Sequence, residues 1–413
     1  MREMKDSGIE WAGVIPNTWN INKGKYFMEL LTRPTLETDE VITCFRDGEV
    51  TLRSKRREEG FTVSLTEAGY QGIEIGDLVV HGMDGFAGSI GISDSRGKAT
   101  PVLNVLDTEQ NKRYMMYLMR TMSYCELFLS LATGIRVRTC DTNWKKLREI
   151  DYILPTIPEQ KAIADFLDEQ CAEIDSLISD IQSQIEALEE YKRSVITEAV
   201  TKGLDPDVEM RDSGVQWIGM MPTHWDCQRG KYLLRYVQKP VRDDDGVITC
   251  FRDGEVTLRS NRREEGFTMA DKEIGYQGID VGDLVVHGMD GFAGSIGISD
   301  SKGKASPVLN VLDTEQNKRY IMYYLRSMAY NDVFVALATG IRVRSCDLRW
   351  NKLAELLYPM PPVEEQQAIV EHIDSVLERT NAIIADKKQQ IETIEEYKKS
   401  LIFEYVTGKK EVA

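Results

Sequence analysis

The run VITCFRDGEVTLRS at residues 41–54 recurs unchanged at residues 247–260. HGMDGFAGSIGISDS (81–95) recurs at 287–301 and PVLNVLDTEQNKRY (101–114) at 307–320, while Trp11 is matched by Trp217 and Tyr191-Lys192 by Tyr397-Lys398. Every pair is 206 residues apart, so the 413-residue chain is one unit written twice without insertions. That period rules out a solenoid, whose units run to about 50 residues, and predicts a duplicated domain together with the segment attached to it.

The attached segment reads as a helix. After Pro158 no proline or glycine occurs before Gly203, and Ile174, Ile181, Leu188 and Val195 recur every seven residues. Ile178, Ile185 and Ala199 trail them by four, with Lys192 the one interruption. Such a heptad stripe is a coiled-coil seam, and at 1.5 Å per residue the helix spans on the order of 65 Å. A helix that long needs a partner, and the second copy supplies it through Ile369, Ile373, Ile384, Ile391, Ile394 and Leu401. Antiparallel pairing lets the inter-copy linker Gly203-Leu204-Asp205-Pro206-Asp207 be threaded; parallel pairing would bring both domains to one end. The expected fold is α+β: two α/β domains (1–157 and 204–362) joined by two long helices (158–203 and 363–413) in an antiparallel coiled coil.

Within each domain an extended, Trp-rich lead (11–19, 217–225) precedes short β-rich runs at 41–45, 49–52, 77–81 and 89–93, separated by Asp-Gly and Gly-rich turns. Helical patterning returns at 112–131, where Tyr114, Tyr117, Leu118, Met122, Leu127, Phe128 and Leu131 share a face.

The net charge of -16 counts against a nucleic-acid partner until its distribution is seen. Residues 1–157 carry 20 basic and 22 acidic side chains, whereas 158–203 carry 4 and 11 and 364–413 carry 7 and 11. Most of the excess acid rides on the helices, and the near-neutral domains are left able to carry a basic patch. The seven cysteines form no CxxC pair, which argues against a zinc site or a disulfide framework; Cys44 and Cys250 read as small buried hydrophobes. No apolar run reaches the roughly 18 residues of a membrane span and MREMKD is no signal peptide, so the expectation is a soluble, cytoplasmic protein without a membrane partner.

Catalytic motifs are absent: no GxGxxG, Walker loop, HExxH or GxSxG. His81 and His287 precede Met-Asp-Gly turns and read as structural or ligand-contacting residues rather than bases. Residues 85–91 read as a tight turn. Arginines gather instead. Arg46, Arg53, Arg56 and Arg57, with Lys55, surround one hairpin; Arg252, Arg259, Arg262 and Arg263 repeat it, with Asn261 in place of Lys55. Arg136 and Arg138 alternate after Gly134, as do Arg342 and Arg344 after Gly340. A guanidinium forks onto phosphate or the guanine edge, which points to DNA; a solvated face neutralised by Glu58 and Glu59 fits the composition equally well.

The lead DSGIEWAGVIPNTW (6–19, copy at 212–225), the handover ILPTIPEQKAI (153–163, copy YPMPPVEEQQAI at 358–369) and the Ala132-Thr133-Gly134 and Ala338-Thr339-Gly340 segments resemble the specificity subunits of type I restriction-modification systems. The resemblance covers the whole chain and implies a non-catalytic reader of double-stranded DNA. Each domain would read half of a bipartite target, and the paired helices would set the spacing and dock two methyltransferase (modification) subunits. No cofactor is then expected on this chain: S-adenosylmethionine belongs to the methyltransferase, and ATP and Mg to restriction (motor-nuclease) subunits that join for cleavage. Recognition domains of this family often differ from each other, whereas these are nearly identical, so the expected target is an interrupted palindrome. A heptad added to the first helix should lengthen its spacer by about three base pairs, some 10 Å of helix. The rival reading is a coiled-coil scaffold with two ligand- or protein-binding domains.

Overall fold

The computed structural model describes residues 2–56, 68–130, 142–262, 274–336 and 348–412. It divides into two compact units, one of residues 1–181 and 388–413 and the other of residues 182–387. Each unit therefore contains one domain, the start of the helix that succeeds it and the end of the other long helix.

In the first unit the sheet comprises β1 (Met28–Leu30), β4 (Leu78–His81), β5 (Ile90–Ile92) and β6 (Leu103–Thr108) in the antiparallel order β1-β6-β4-β5. A separate hairpin, β2 (Ile42–Cys44) and β3 (Val50–Leu52), pairs Ile42 with Leu52. Successive strand side chains point to opposite faces, and β4 uses both. Leu78 and Val80 join the core under helix α1 (Lys112–Tyr124), whereas Val79 joins Ile42, Cys44, Val50 and Val105 beneath the hairpin. Burial on two faces is why β4 reads as an unbroken apolar run. The lead is tied to the exit, since residues Asn20–Lys23 pair antiparallel with Asp151–Leu154.

Helix α1 starts where the Asn111 side chain accepts the Tyr114 N–H (3.0 Å) and buries Tyr114, Met115, Leu118, Met119 and Met122. One continuous helix to residue 131 is not found. The chain leaves α1 through Glu126 at φ 58°, a left-handed conformation that ends a helix, and only a turn at Leu127–Ser130 succeeds it; Leu131 lies outside the described residues.

The handover sequence has a structural task. Helix α2 (Trp144–Leu147) precedes the exit strand, and the long helix α3 (Ile157–Lys202) opens with Glu159 accepting the Thr156 N–H (3.1 Å), as in a capping box. Gln160 is fully buried; its amide donates to Pro155 O (2.9 Å) and its oxygen accepts the Asn111 N–H (2.9 Å), joining the start of α3 to that of α1.

The end of the other long helix lies antiparallel to this start. Phe166 packs on Tyr405 with ring centres 4.4 Å apart, and nearer the middle of the first helix Asp175 binds Lys398 Nζ (2.6 Å). Leu401, Ile402 and Val406 share one core with Leu167, Cys171, Ile174 and α1, and the Tyr114 hydroxyl lies within hydrogen-bond distance of Ile153 O and Val406 O.

The second unit repeats this plan. Its sheet holds β7 (Arg235–Tyr236), β10 (Leu284–His287), β11 (Ile296–Ile298) and β12 (Leu309–Asp313) in the order β7-β12-β10-β11, beside the hairpin β8 (Ile248–Cys250) and β9 (Val256–Leu258). Helix α4 (Lys318–Tyr330) is capped by Asn317 and left through Asp332 at φ 55°. Helix α5 (Trp350–Leu353) leads to α6 (Val363–Val406), where Ile369, Val370 and Ile373 pack in one core with Ile196, Ala199 and Val200, and Lys387 donates to Gln184 (2.6 Å).

The seam is buried at Ile174, Ile181, Ile384 and Leu401. Ile178, Ile185, Leu188, Ile391 and Ile394 are half-buried, as two helices alone leave an open side. At Val195, half-buried like Leu188, the pattern shifts by one residue, since its neighbour Ile196 is the buried position there. An α-helix drifts about 20° per heptad against a strict seven-residue repeat, and the domain core takes up the displaced face. Among the described residues no helix is long and apolar enough to cross a membrane.

Candidate nucleic-acid interface

The tip of the β2–β3 hairpin is a tight turn. Phe45 N donates to Glu49 O (2.8 Å), and Gly48 sits at φ 85°, where a side chain is strained. Arg120, reaching up from α1, donates through Nε to Ile90 O (2.8 Å) and through Nη2 to Gly48 O (3.0 Å). A Cβ on Gly48 would stand 1.8 Å from that guanidinium, and one on Gly91 1.9 Å from Gly48 O. The hairpin tip is thus clamped to the edge of the main sheet, and Arg46 is presented from it with 65% of its side chain exposed.

A second turn meets it. After β4, the Nδ1 atom of His81 accepts the backbone N–H groups of Met83 (3.2 Å) and Asp84 (2.9 Å). Asp84 in turn accepts from Arg46 Nη2 (3.1 Å). Thr142 closes the third side, its hydroxyl donating to His81 O (2.8 Å). Three segments distant in sequence therefore converge on Arg46, Asp84 and His81.

Around the hairpin, the Arg56 guanidinium lies 4.2 Å from the centre of the Phe45 ring and pairs with Asp47 (2.7 Å) and Glu49 (2.8 Å). Arg53 Nε donates to Thr43 Oγ1 (3.1 Å). Apart from Thr142, replaced by Leu348, the copy reproduces this to within 0.2 Å. Arg252 meets Asp290 at 3.2 Å, His287 accepts Met289 N and Asp290 N at 3.2 and 2.9 Å, and Arg262 lies 4.3 Å from the Phe251 ring while pairing with Asp253 and Glu255 at 2.7 and 3.0 Å. Arg259 binds Thr249 Oγ1 at 3.1 Å, and Arg326 binds Ile296 O and Gly254 O at 2.7 and 2.8 Å.

Burial holds the imidazoles of His81 and His287 below the usual histidine value, with Asp84 or Asp290 opposing the shift and Arg46 or Arg252 adding to it. Burial also pushes the Cys44 and Cys250 thiols up to about 12, so neither is a nucleophile at neutral pH. Each surface therefore offers arginine forks and an imidazole as donors beside carboxylates as acceptors. Base edges in the major groove carry both kinds of group, whereas a purely basic strip would match only their acceptors and the phosphates.

Of the arginines singled out in the sequence, Arg46 meets the His81 turn through Asp84 while Arg53 and Arg56 bond within the adjoining hairpin, and Arg252, Arg259 and Arg262 repeat this beside His287. Arg57, Arg136, Arg138, Arg263, Arg342 and Arg344 lie outside the described residues. Sequence reading passed over Asp84, Phe45 and Arg120 with their copies Asp290, Phe251 and Arg326. Their signal was available: Arg120 is a charge within an apolar helix and recurs 206 residues later.

The fold is shared with a solved structure. A structure described as the basis of complex assembly and conformational transition of the type I R-M system matches it with a TM-score of 0.67, over 96% of this chain and 99% of that one, at 11% identity. Curated relatives share its sequence as well. The type I restriction enzyme MjaVIII specificity subunit of Methanocaldococcus jannaschii is 27% identical over 326 residues, 73% of this chain and 72% of the relative. A second sequence of that organism, bearing the name MjaX specificity subunit, is 24% identical over 322 residues, 74% and 71% of the two chains. The chain is a homologue of type I restriction specificity subunits. No protein-family model matches it.

Proposed function

We propose that this chain is the DNA sequence-recognition subunit of a type I restriction-modification complex, itself without catalytic activity. The observation that carries this reading is the duplicated surface: Arg46, Asp84 and His81 recur as Arg252, Asp290 and His287 with the same partners. Two equal surfaces suit a bipartite DNA target with the same short sequence in each half, and the reciprocal make-up of the two units favours reading it on opposite strands, as an interrupted palindrome. The acidic outer faces of α3 and α6 serve to seat two methyltransferase subunits, which bring S-adenosylmethionine. Motor-nuclease subunits, where they join, bring ATP and Mg.

The test is salt-dependent binding of duplex DNA by the chain co-purified with its modification subunits. Binding that weakens linearly in log salt, with a preferred sequence above the non-specific level, is expected. Binding of a protein or small ligand at these surfaces, with no affinity for duplex DNA, would replace this reading by the scaffold one.

A further inference from the structure

His81 and His287 are the only imidazoles at the two surfaces among the described residues, and both are locked in the same way. Nδ1 accepts two backbone N–H groups, from Met83 (3.2 Å) and Asp84 (2.9 Å) in one unit and from Met289 (3.2 Å) and Asp290 (2.9 Å) in the other. An imidazole nitrogen that accepts cannot carry a proton, so the single proton of the neutral ring sits on Nε2. Protonating the ring would turn Nδ1 into a donor facing two donors. Nε2 is not among the buried polar atoms left without a partner, although neither ring is fully exposed and no hydrogen bond from Nε2 is made within the described residues. It therefore reaches solvent. Around it stand Asp84 and Arg46, or Asp290 and Arg252; in the second unit Nε2 is 3.9 Å from Asp290 Oδ2, beyond hydrogen-bond reach.

We infer that His81 and His287 are specificity-determining donors, each presenting a neutral Nε2–H of fixed tautomer to a hydrogen-bond acceptor on a base edge of the DNA target. This rests on the DNA-recognition reading above. In a duplex the major-groove acceptors are purine N7, guanine O6 and thymine O4, whereas adenine N6 and cytosine N4 are donors that a donor-only group rejects. A neutral donor adds nothing to counterion release, so its contribution separates from that of the arginines: it changes which base pair is preferred and leaves the salt slope alone. The backbone lock explains how a half-buried ring can discriminate, because neither its tautomer nor its orientation has to be fixed on binding.

Two paired substitutions separate this role from turn capping. In His81→Asn with His287→Asn, the side-chain oxygen can take the place of Nδ1 and cap the turn, but nothing replaces Nε2. In His81→Gln with His287→Gln, the longer amide supplies an N–H near Nε2 without a short-range cap. Binding of the co-purified complex is measured against duplexes carrying every single base-pair change in the target found by methylation mapping. The Asn variant is expected to keep its melting temperature and salt slope and to lose about three- to tenfold preference at one base pair in each half-site, the size of one neutral hydrogen bond. The Gln variant is expected to keep that preference and melt earlier. An Asn variant that reads every base pair as the parent does, or a Gln variant as indifferent as the Asn variant is expected to be, overturns the inference and leaves the histidines as turn caps. Failure of the unsubstituted complex to bind duplex DNA at all would instead sink the DNA reading beneath it.

Discussion

The two units differ under their candidate reading surfaces and agree on them. Arg46, Asp84, His81, Phe45, Arg56 and Arg120 have identical counterparts with matching partners, whereas the supports have drifted. Lys55 binds Asp94 (3.1 Å) and Ser95 (2.8 Å), but its counterpart Asn261 turns to Thr257 (2.8 Å). Arg33 pairs with Asp77, while Lys239 bridges Asp280 and Asp283. Thr142 bonds the turn through its hydroxyl; Leu348 keeps only the backbone bond to Gly288 O (2.8 Å) and packs an apolar side chain against Gly291. A support can be rebuilt with other chemistry as long as it holds the same shape. A surface that must present given donors and acceptors at given positions cannot, and that contrast is what separates the candidate recognition residues from their scaffold.

The sharpest way to break this comparison is to strip one surface at a time. Arg46→Ala and Arg252→Ala should each weaken specific binding by about tenfold or more, the worth of one bidentate pair to a base, and by equal factors in titrations of the same duplex. Unequal losses would mean that the two surfaces do not read the same sequence. Next, Arg120→Ala removes the donor shared by Ile90 O and Gly48 O, and it should cost about 1–3 kcal/mol for the acceptors left without it; thermal unfolding checks this, with Arg326→Ala as the matched control. Replacing Arg136 and Arg138 by alanine should lower the slope of log affinity against log salt by about one for each phosphate that is no longer neutralised. An unchanged slope would remove them from the interface. The smallest change is expected from Thr142→Leu, which gives the first unit the second unit's support. It should shift stability by no more than about 1 kcal/mol, the net worth of one hydrogen bond, and leave base preference intact; an altered preference would show that the supports are not interchangeable.

Much of this was legible in the sequence because it was written twice. The offset of 206 marks two copies of one unit, and the heptad positions Ile174 and Ile181 are buried. Where the pattern shifts by one residue, at Val195, the cause is accumulated helical drift together with a domain packed against that end of the helix, which a local pattern cannot register. Glu126 likewise ends α1 by a backbone conformation that its side chain does not announce. At the candidate site the clustering of Arg46 and Arg56 was visible from their closeness in sequence. Their setting was not. Asp84 lies 38 residues from Arg46, and Arg120 lies 72 from Gly48, so the turn-to-turn clamp exists only once the sheet has formed. The handover motif at Pro158 to Gln160, part of the family resemblance, is also the joint that fixes the long helix to the domain.

The central claim is that two equivalent surfaces read one short sequence twice. Mapping methylated adenines across the genome of a strain that carries this chain and its modification subunits tests that claim most directly. Equivalent surfaces predict a bipartite motif whose halves are inverted repeats of each other, separated by a fixed number of unspecified base pairs. A bipartite motif with unrelated halves would contradict the claim.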